Sequence, residues 1–360
     1  MEKSLLFIPD ISGFTEFVQS TEVEHSQHVI AELLEILLEA NANEYQLAEV
    51  EGDALFFYQE EELPSLESLL AKAEKMFRAF YSHLKLLEKN RICPCNACAT
   101  APNLNLKIIA HSGELQFMTI QNKRKPFGTE VIETHRLMKN SIKSNNYMLL
   151  SQGLSEAIEL RETYKTKLYD FQKGSDQYDG TDVAYLYAPI DKENLKLEAF
   201  SQGKKLVFDT PPNLTIKKDF PVSAAQLMEY VTNYAFRHHW AEGVDELHYN
   251  EHEVTKLGTE HVCVINGKHL NFVTVSKEVK LWQLIYGELT TSPAPVDELY
   301  QFFIFTPVDE NSCHLELEVY LKAKSPLKKM MIALFLKPVF RKAFSKNLDT
   351  LYQFVVNSKI

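Results

Sequence analysis

The feature that most constrains this chain is a short apolar run that ends in a carboxylate. Leu5 to Ile8 has the length and composition of a buried strand. It leads through Pro9 into Asp10-Ile11, a Ser12-Gly13 turn, and Phe14-Thr15, where a helical period begins. Further on, Gln46 to Val50 and Ala54 to Tyr58 are again strand-like, and Glu51-Gly52-Asp53 between them reads as a hairpin turn. A strand that delivers a carboxylate to a helix start suits a divalent cation holding phosphates. The carboxylate is a hard oxygen ligand, and the N–H groups of a first helical turn attract anions. With the hairpin beside the first strand, Asp10 and Asp53 share one or two magnesium ions. Read singly, both aspartates also suit turns and helix N-caps.

The Phe-x-Asp-Ile-x-Gly-Phe-Thr pattern, met here as Ile8-Pro9-Asp10-Ile11-Ser12-Gly13-Phe14-Thr15 after Phe7, and the later Gly52-Asp53 resemble class III nucleotide cyclases, the adenylyl and guanylyl cyclase family. The resemblance implies a ferredoxin-like α/β sandwich, Mg²⁺ or Mn²⁺ on Asp10 and Asp53, and a purine nucleoside triphosphate contacted by Ile11, Gly13, Phe14 and Thr15. It also implies a homodimer, since the family builds its active site from two chains. The base-selecting position falls on Glu49, whose carboxylate accepts from the donor pair of guanine and finds no such pair on adenine. The second base position falls on Lys125, a donor for guanine O6. The transition-state motif aligns with Gly128 to Arg136, so Arg136 keeps its catalytic place while Ile132 stands where the family has Asn. Losing one such contact costs about 2–4 kcal/mol. The expectation is a purine nucleotide-binding protein with low or no cyclase activity; the alternative is an active guanylate cyclase, a phosphorus-oxygen lyase.

The chain has 360 residues, 45% hydrophobic and 24% charged, enough for two domains with cores of their own. A net charge of −11 argues against general nucleic-acid affinity. No apolar run approaches a membrane span, and Met1-Glu2-Lys3-Ser4 enters a strand without a signal-peptide core, so a cytoplasmic protein with reduced thiols is expected.

Helical periods follow at 14–21, 25–40, 66–87 and 129–143. Leu104 to Ala110 and Glu114 to Thr119 read as strands turning at His111-Ser112-Gly113, and 147–150, 167–172 and 181–187 as further strands. The order predicts an α+β sheet with helices on one face. Cys93, Cys95 and Cys98 suit a soft metal such as zinc, with His111, Cys263 or a partner chain completing four ligands. They also suit a loop with incidental thiols or, less well, a redox pair.

Residues 1–190 form the first predicted domain, 191–204 a polar linker, and 205–360 a second domain. In the second, a helix at 224–236 precedes strands at 247–254, 260–264, 271–277, 280–288, 299–307 and 314–321. A helix from Leu327 to Val356, kinked at Pro338, closes it. This order resembles the START-like (SRPBCC) helix-grip fold, and the whole chain resembles bacterial proteins of unknown function that join the two domain types. The resemblance implies an apolar small molecule or lipid beneath the last helix, lined by Met330, Leu334, Phe335 and Phe340. The histidines 238, 239, 248, 252, 261 and 269 read as solvated, and the lysines about the last helix as its outer face.

Overall fold

The computed structural model describes residues 3–203, 205–251, 253–291, 293 and 295–358. The chain runs β1 (Ser4–Ser12), α1 (Phe14–Ser20), α2 (Val23–Asn41), β2 (Gln46–Glu51), β3 (Ala54–Gln59), α3 (Leu66–Asn90), α4 (Asn96–Thr100), β4 (Asn105–Gly113), β5 (Gln116–Ile120) and β6 (Lys123–Phe127). It continues through α5 (Thr129–Leu137), β7 (Tyr147–Ser151), α6 (Gln152–Ala157), β8 (Gln172–Tyr178) and β9 (Thr181–Pro189). Then come β10 (Lys205–Leu206), β11 (Leu214–Phe220), α7 (Ala224–Thr232), α8 (Arg237–Trp240), β12 (Glu246–His248), β13 (Glu260–Ile265) and β14 (Lys268–Lys277). The last elements are β15 (Leu284–Thr291), β16 (Glu298–Asp309), β17 (Ser312–Lys322), α9 (Pro326–Met331), a π-helical turn (Ile332–Leu336) and α10 (Lys337–Asn357). The architecture is mixed α+β.

Two compact units are present, one of residues 1–86 and 100–200, the other of residues 87–99 and 201–360. In the first, the strand order is β2-β3-β1-β4-β7-β9-β8. The sequence suggests helices on one face only; β1 is buried at all nine positions, so both faces are covered around it. Alternation divides those positions. Leu6 and Ile8 join a cluster with Ile109, Leu149 and α5's Leu137, while Phe7 points away and packs on Tyr45. Two glycines make the flanking turns passable. Gly13 (φ 92°) caps α1 and Gly52 (φ 69°) turns the β2–β3 hairpin, both in the left-handed region that side chains resist.

Several predicted boundaries move. His111, Ser112 and Gly113 continue β4 and do not turn; β5 pairs instead with β6 through Gln121-Asn122, both at positive φ. His-Ser-Gly resembles turn chemistry, but the turn falls where Asn122 tolerates the left-handed conformation. Of the stretch 167–172, Asp170 forms an isolated bridge to Lys165, and Gln172 opens β8. The helix expected over 129–143 is α5, which stops at Leu137.

In the second unit an antiparallel path β11-β17-β16-β15-β14-β13-β12 forms one sheet, with β10 added on β14. Predicted strand 247–254 contracts to β12, and 280–288 begins only at Leu284. A core cluster joins α7 (Leu227, Val231), the sheet (Phe303, Leu315, Leu317) and α10 (Leu348, Leu351, Val355). At Pro338 the missing donor and the ring's demand for space are absorbed in the π turn immediately before it.

Candidate functional site

Asp10 lies on the central strand, opposite Ala54 on β3 and opposite Lys107 on β4. The hairpin brings Asp53 beside it, and the Ile11 N–H donates to the Asp53 carbonyl at 3.0 Å. Burial raises the Asp10 carboxyl to about 6; Lys107 opposes the shift, while Asp53 and Glu51 add to it. Burial also raises Asp53, against its own backbone hydrogen bond and Lys107. The Lys107 ammonium lies 3.5 Å from Asp10. Glu51 has a different partner: His135 on α5 approaches it to 2.9 Å through Nε2, while its Nδ1 donates to the Val131 carbonyl at 2.8 Å. The Glu51 hydrogen bond raises His135.

Asp10 and Asp53 thus form a pair of hard oxygen donors with too little positive charge around them. Each is pressed toward its neutral form by burial, and in Asp10 also by its acidic neighbours. A divalent cation such as Mg²⁺ or Mn²⁺ fits that donor set.

The other predicted positions scatter around this pair in distinct ways. Glu49, on the edge strand β2, is joined to Lys125 of β6 by an ion pair of 2.8 Å, so these two residues meet although 76 positions separate them. Ile11 is in the core, while Gly13 and Thr15 are exposed and Phe14 is half-buried at the start of α1. That helix has seven residues, so its dipole is short. Arg136 does not turn toward the carboxylates; it pairs with Asp179 in the β8–β9 turn. Ile132 sits exposed on α5, where no packing demand explains it.

Sequence reasoning missed Lys107 and the Glu51–His135 pair. Lys107 has a signal in hindsight: it is the one charge within the apolar run Leu106 to Ala110. A groove of about 780 Å³ opens elsewhere in this unit, between α6 and the β8–β9 strands, lined by Glu156, Arg161, Lys173 and Tyr185. It contains none of the predicted site residues.

In the second unit Cys93, Cys95 and Cys98 bring their sulfurs within 4.8 Å of one another. The two sequence candidates for a fourth ligand lie elsewhere: His111 is bound to Glu130 at 2.7 Å, and Cys263 is buried in β13 near Arg237. The apolar-pocket prediction is corrected. Met330, Leu334 and Phe335 are exposed on the outer side of the last helical segment, and only Phe340 turns inward to pack on the core. The core side is taken by Ile332, Leu348 and Leu351.

The solvated-histidine reading also fails at one residue. His261 is buried beneath Tyr234 and stacked on Phe272, with Glu288 at 3.6 Å. Burial lowers it to about 4 and leaves it neutral. Glu288 pairs there with Arg237 and accepts hydrogen bonds from Tyr286 and Gln301. His252 lies outside the described residues.

No helix among the described residues is long and apolar enough to cross a membrane. A model for a protein family of unknown function, DUF2652, matches residues 30–147. An uncharacterised protein of Mycobacterium tuberculosis is 27% identical over 145 residues, 40% of this chain and 68% of that protein. Among solved structures, the guanylyl cyclase Cya2 superposes with a TM-score of 0.40 at 16% identity, covering 55% of this chain and 98% of that one. The adenylyl cyclase CyaB of P. aeruginosa gives 0.39 at 16%, covering 53% and 95%. A guanylyl cyclase domain of the fungus Blastocladiella emersonii gives 0.38 at 14%, covering 52% and 96%.

Proposed function

We propose that the first unit binds a purine nucleoside triphosphate together with Mg²⁺ or Mn²⁺, with Asp10 and Asp53 as the cation ligands. The observation that carries this reading is the placement of Asp10 at the end of β1 beside Asp53 of the β2–β3 turn, with Lys107 at 3.5 Å from Asp10; burial raises both carboxyls, and a divalent cation relieves that. When bound, the cation would supply charge neutralisation for phosphate oxygens. Lys107 would then act beside it as a fixed positive charge on Asp10.

Cyclase turnover is low or absent in this reading, because Ile132 offers no donor and Arg136 is engaged by Asp179. The protein is a nucleotide-responsive module, acting as a homodimer. The second unit is a START-like helix-grip domain, a reading supported by α7 and α10 packed on one antiparallel sheet.

A second reading, an active guanylate cyclase, is favoured by the Glu49–Lys125 pair, which offers an acceptor and a donor side by side as guanine requires. Calorimetry with GTP and Mn²⁺ on wild type and Asp10→Ala tests the binding reading. Binding by wild type that the variant loses supports it; no binding, or equal binding, overturns it. Mass spectrometry for a cyclic product after incubation with GTP or ATP and Mn²⁺ separates the two readings.

A further inference from the structure

We propose that Cys93, Cys95 and Cys98 form a structural zinc site that fixes the 93–98 loop of the second unit. The three sulfurs lie within 4.8 Å of one another, although they come from a segment of only six residues. Two backbone donors point at them: Cys95 N–H to Cys93 Sγ at 3.4 Å and Cys98 N–H to Cys95 Sγ at 3.3 Å. N–H donors directed at sulfur stabilise thiolates, and supporting hydrogen bonds of this kind orient metal ligands. None of the three is in a disulfide, which separates this arrangement from an oxidised redox pair. Thiolates are soft donors and select zinc over the hard cations. Zinc sites of this kind use four ligands, so one further donor would complete the set.

The placement explains what the ion would do. Residues 87–99 lie far from the second unit in sequence but belong to it in space. They are held there by a bridge from Arg91 to Lys256, by the Leu257 N–H donating to the Asn90 carbonyl at 2.8 Å, and by Ile92 packed on the core. A zinc on the loop immediately after Ile92 closes it into a rigid knuckle and removes the entropy of leaving it open.

The test uses the full chain purified without added metal. Elemental analysis should find about one zinc per chain, and the chelator-stripped protein should take up Co²⁺ with the intense visible bands of a tetrahedral thiolate site. Cys98→Ser should lose both signals, while Cys263→Ser, outside the cluster, should keep them. Stripping zinc from wild type should also open the 93–98 loop to proteolysis, a readout that needs no variant to fold. Absence of zinc with an octahedral, weakly coloured Co²⁺ spectrum would overturn the proposal, as would full zinc content in Cys98→Ser.

A different observation carries a second inference: we propose that the outer face of α9, the π turn and the start of α10 docks on an anionic lipid surface. Leu327, Met330, Leu334, Phe335 and Val339 are 53 to 65% exposed on this one segment. Their neighbours are basic, and residues 322–346 contain no Asp or Glu, in a chain whose net charge is −11. Ion pairs occupy Lys328 and Lys346, leaving Lys324, Lys329, Lys337 and Lys342 around the apolar stripe. Exposed apolar side chains flanked by lysine suit the boundary of an anionic bilayer, to which each part contributes separately.

Co-sedimentation with vesicles tests it. Wild type should bind phosphatidylcholine vesicles containing phosphatidylglycerol, release in high salt, and bind pure phosphatidylcholine at least tenfold less. A Leu334→Asp/Phe335→Asp variant, changed only at exposed positions, should lose binding while melting as wild type does. No binding to the anionic vesicles would overturn the proposal. So would wild-type self-association that the variant abolishes, which would make the face an interface between copies.

Discussion

Asp10 and Glu288 are both buried strand carboxylates, and their surroundings treat them oppositely. Glu288 in β15 is met by the Arg237 guanidinium and by hydrogen bonds from Tyr286 and Gln301. Burial raises it, but Arg237, His261 and the hydrogen bonds from Tyr286 and Arg237 together more than offset that, and Glu288 stays below the usual carboxylate range. Asp10 receives one lysine at 3.5 Å and faces Asp53 and Glu51, so burial wins and its carboxyl rises to about 6. A compensated buried charge specifies a structure; an under-compensated one is waiting for a charge to arrive from outside.

The comparison is broken most strongly at the compensated end. Glu288→Ala leaves Arg237 buried without its counter-charge and should cost about 3–5 kcal/mol. Replacing both partners, as Glu288→Leu with Arg237→Met, should cost less than the single change. Both tryptophans, Trp240 and Trp282, lie in the second unit, and Arg237 sits 4.8 Å from the Trp240 ring. Urea unfolding followed by tryptophan fluorescence therefore reports this unit. A double variant as unstable as the single one would show that the pair itself, and not the orphaned charge, carries the stability.

At the other end the expected sign reverses. The Asp10 carboxyl is raised from 3.8 to about 6, so its contribution to stability is fully present below pH 3.8 and is lost as pH rises through about 6. Asp10→Asn should therefore stabilise the metal-free protein at pH 8, by on the order of 2 kcal/mol, with the gain shrinking toward pH 4. Thermal melts followed by circular dichroism across that range check it. Equal melting of variant and wild type at pH 8 would mean that the carboxylate is already compensated.

A cation sharpens the contrast. Mn²⁺ should raise the melting temperature of the first unit at pH 8, and the rise should fade as pH drops through about 6, because protons compete for Asp10. Asp10→Asn should abolish the rise. A Mn²⁺ effect independent of pH over this range would place the ion elsewhere.

The smallest effect belongs to the exposed pair. Lys125→Ala removes a bridge in which Glu49 is half-exposed, and should change stability by less than about 1 kcal/mol. Its consequence should show in the ratio of GTP to ATP affinity. An unchanged ratio would remove the pair from base recognition.

Local pattern made much of the first unit legible. β1, β2, β3 and the Asp179-Gly180 turn follow from apolar runs bounded by residues that tolerate positive φ. His111-Ser112-Gly113 resembles turn chemistry, but pairing with β1 extends β4 through it. Lys107, His135 and Arg237 carry no motif. Each matters because of a partner distant in sequence: Lys107 with Asp10, His135 with Glu51, Arg237 with Glu288.

The sequence by itself determined the alternation of elements, the carboxylates at the end of β1 and in the β2–β3 turn, and the thiols grouped between α3 and β4. Those properties are set by period, turn tolerance and residue chemistry within a few positions. Tertiary structure alone decided which charges are compensated and which side of the last helix faces water. It also decided that residues 87–99 belong with a sheet that begins more than a hundred residues later. The physical reason is the same in each case. Desolvation and charge pairing depend on distance in space, and chain separation constrains that distance only weakly once loops have closed.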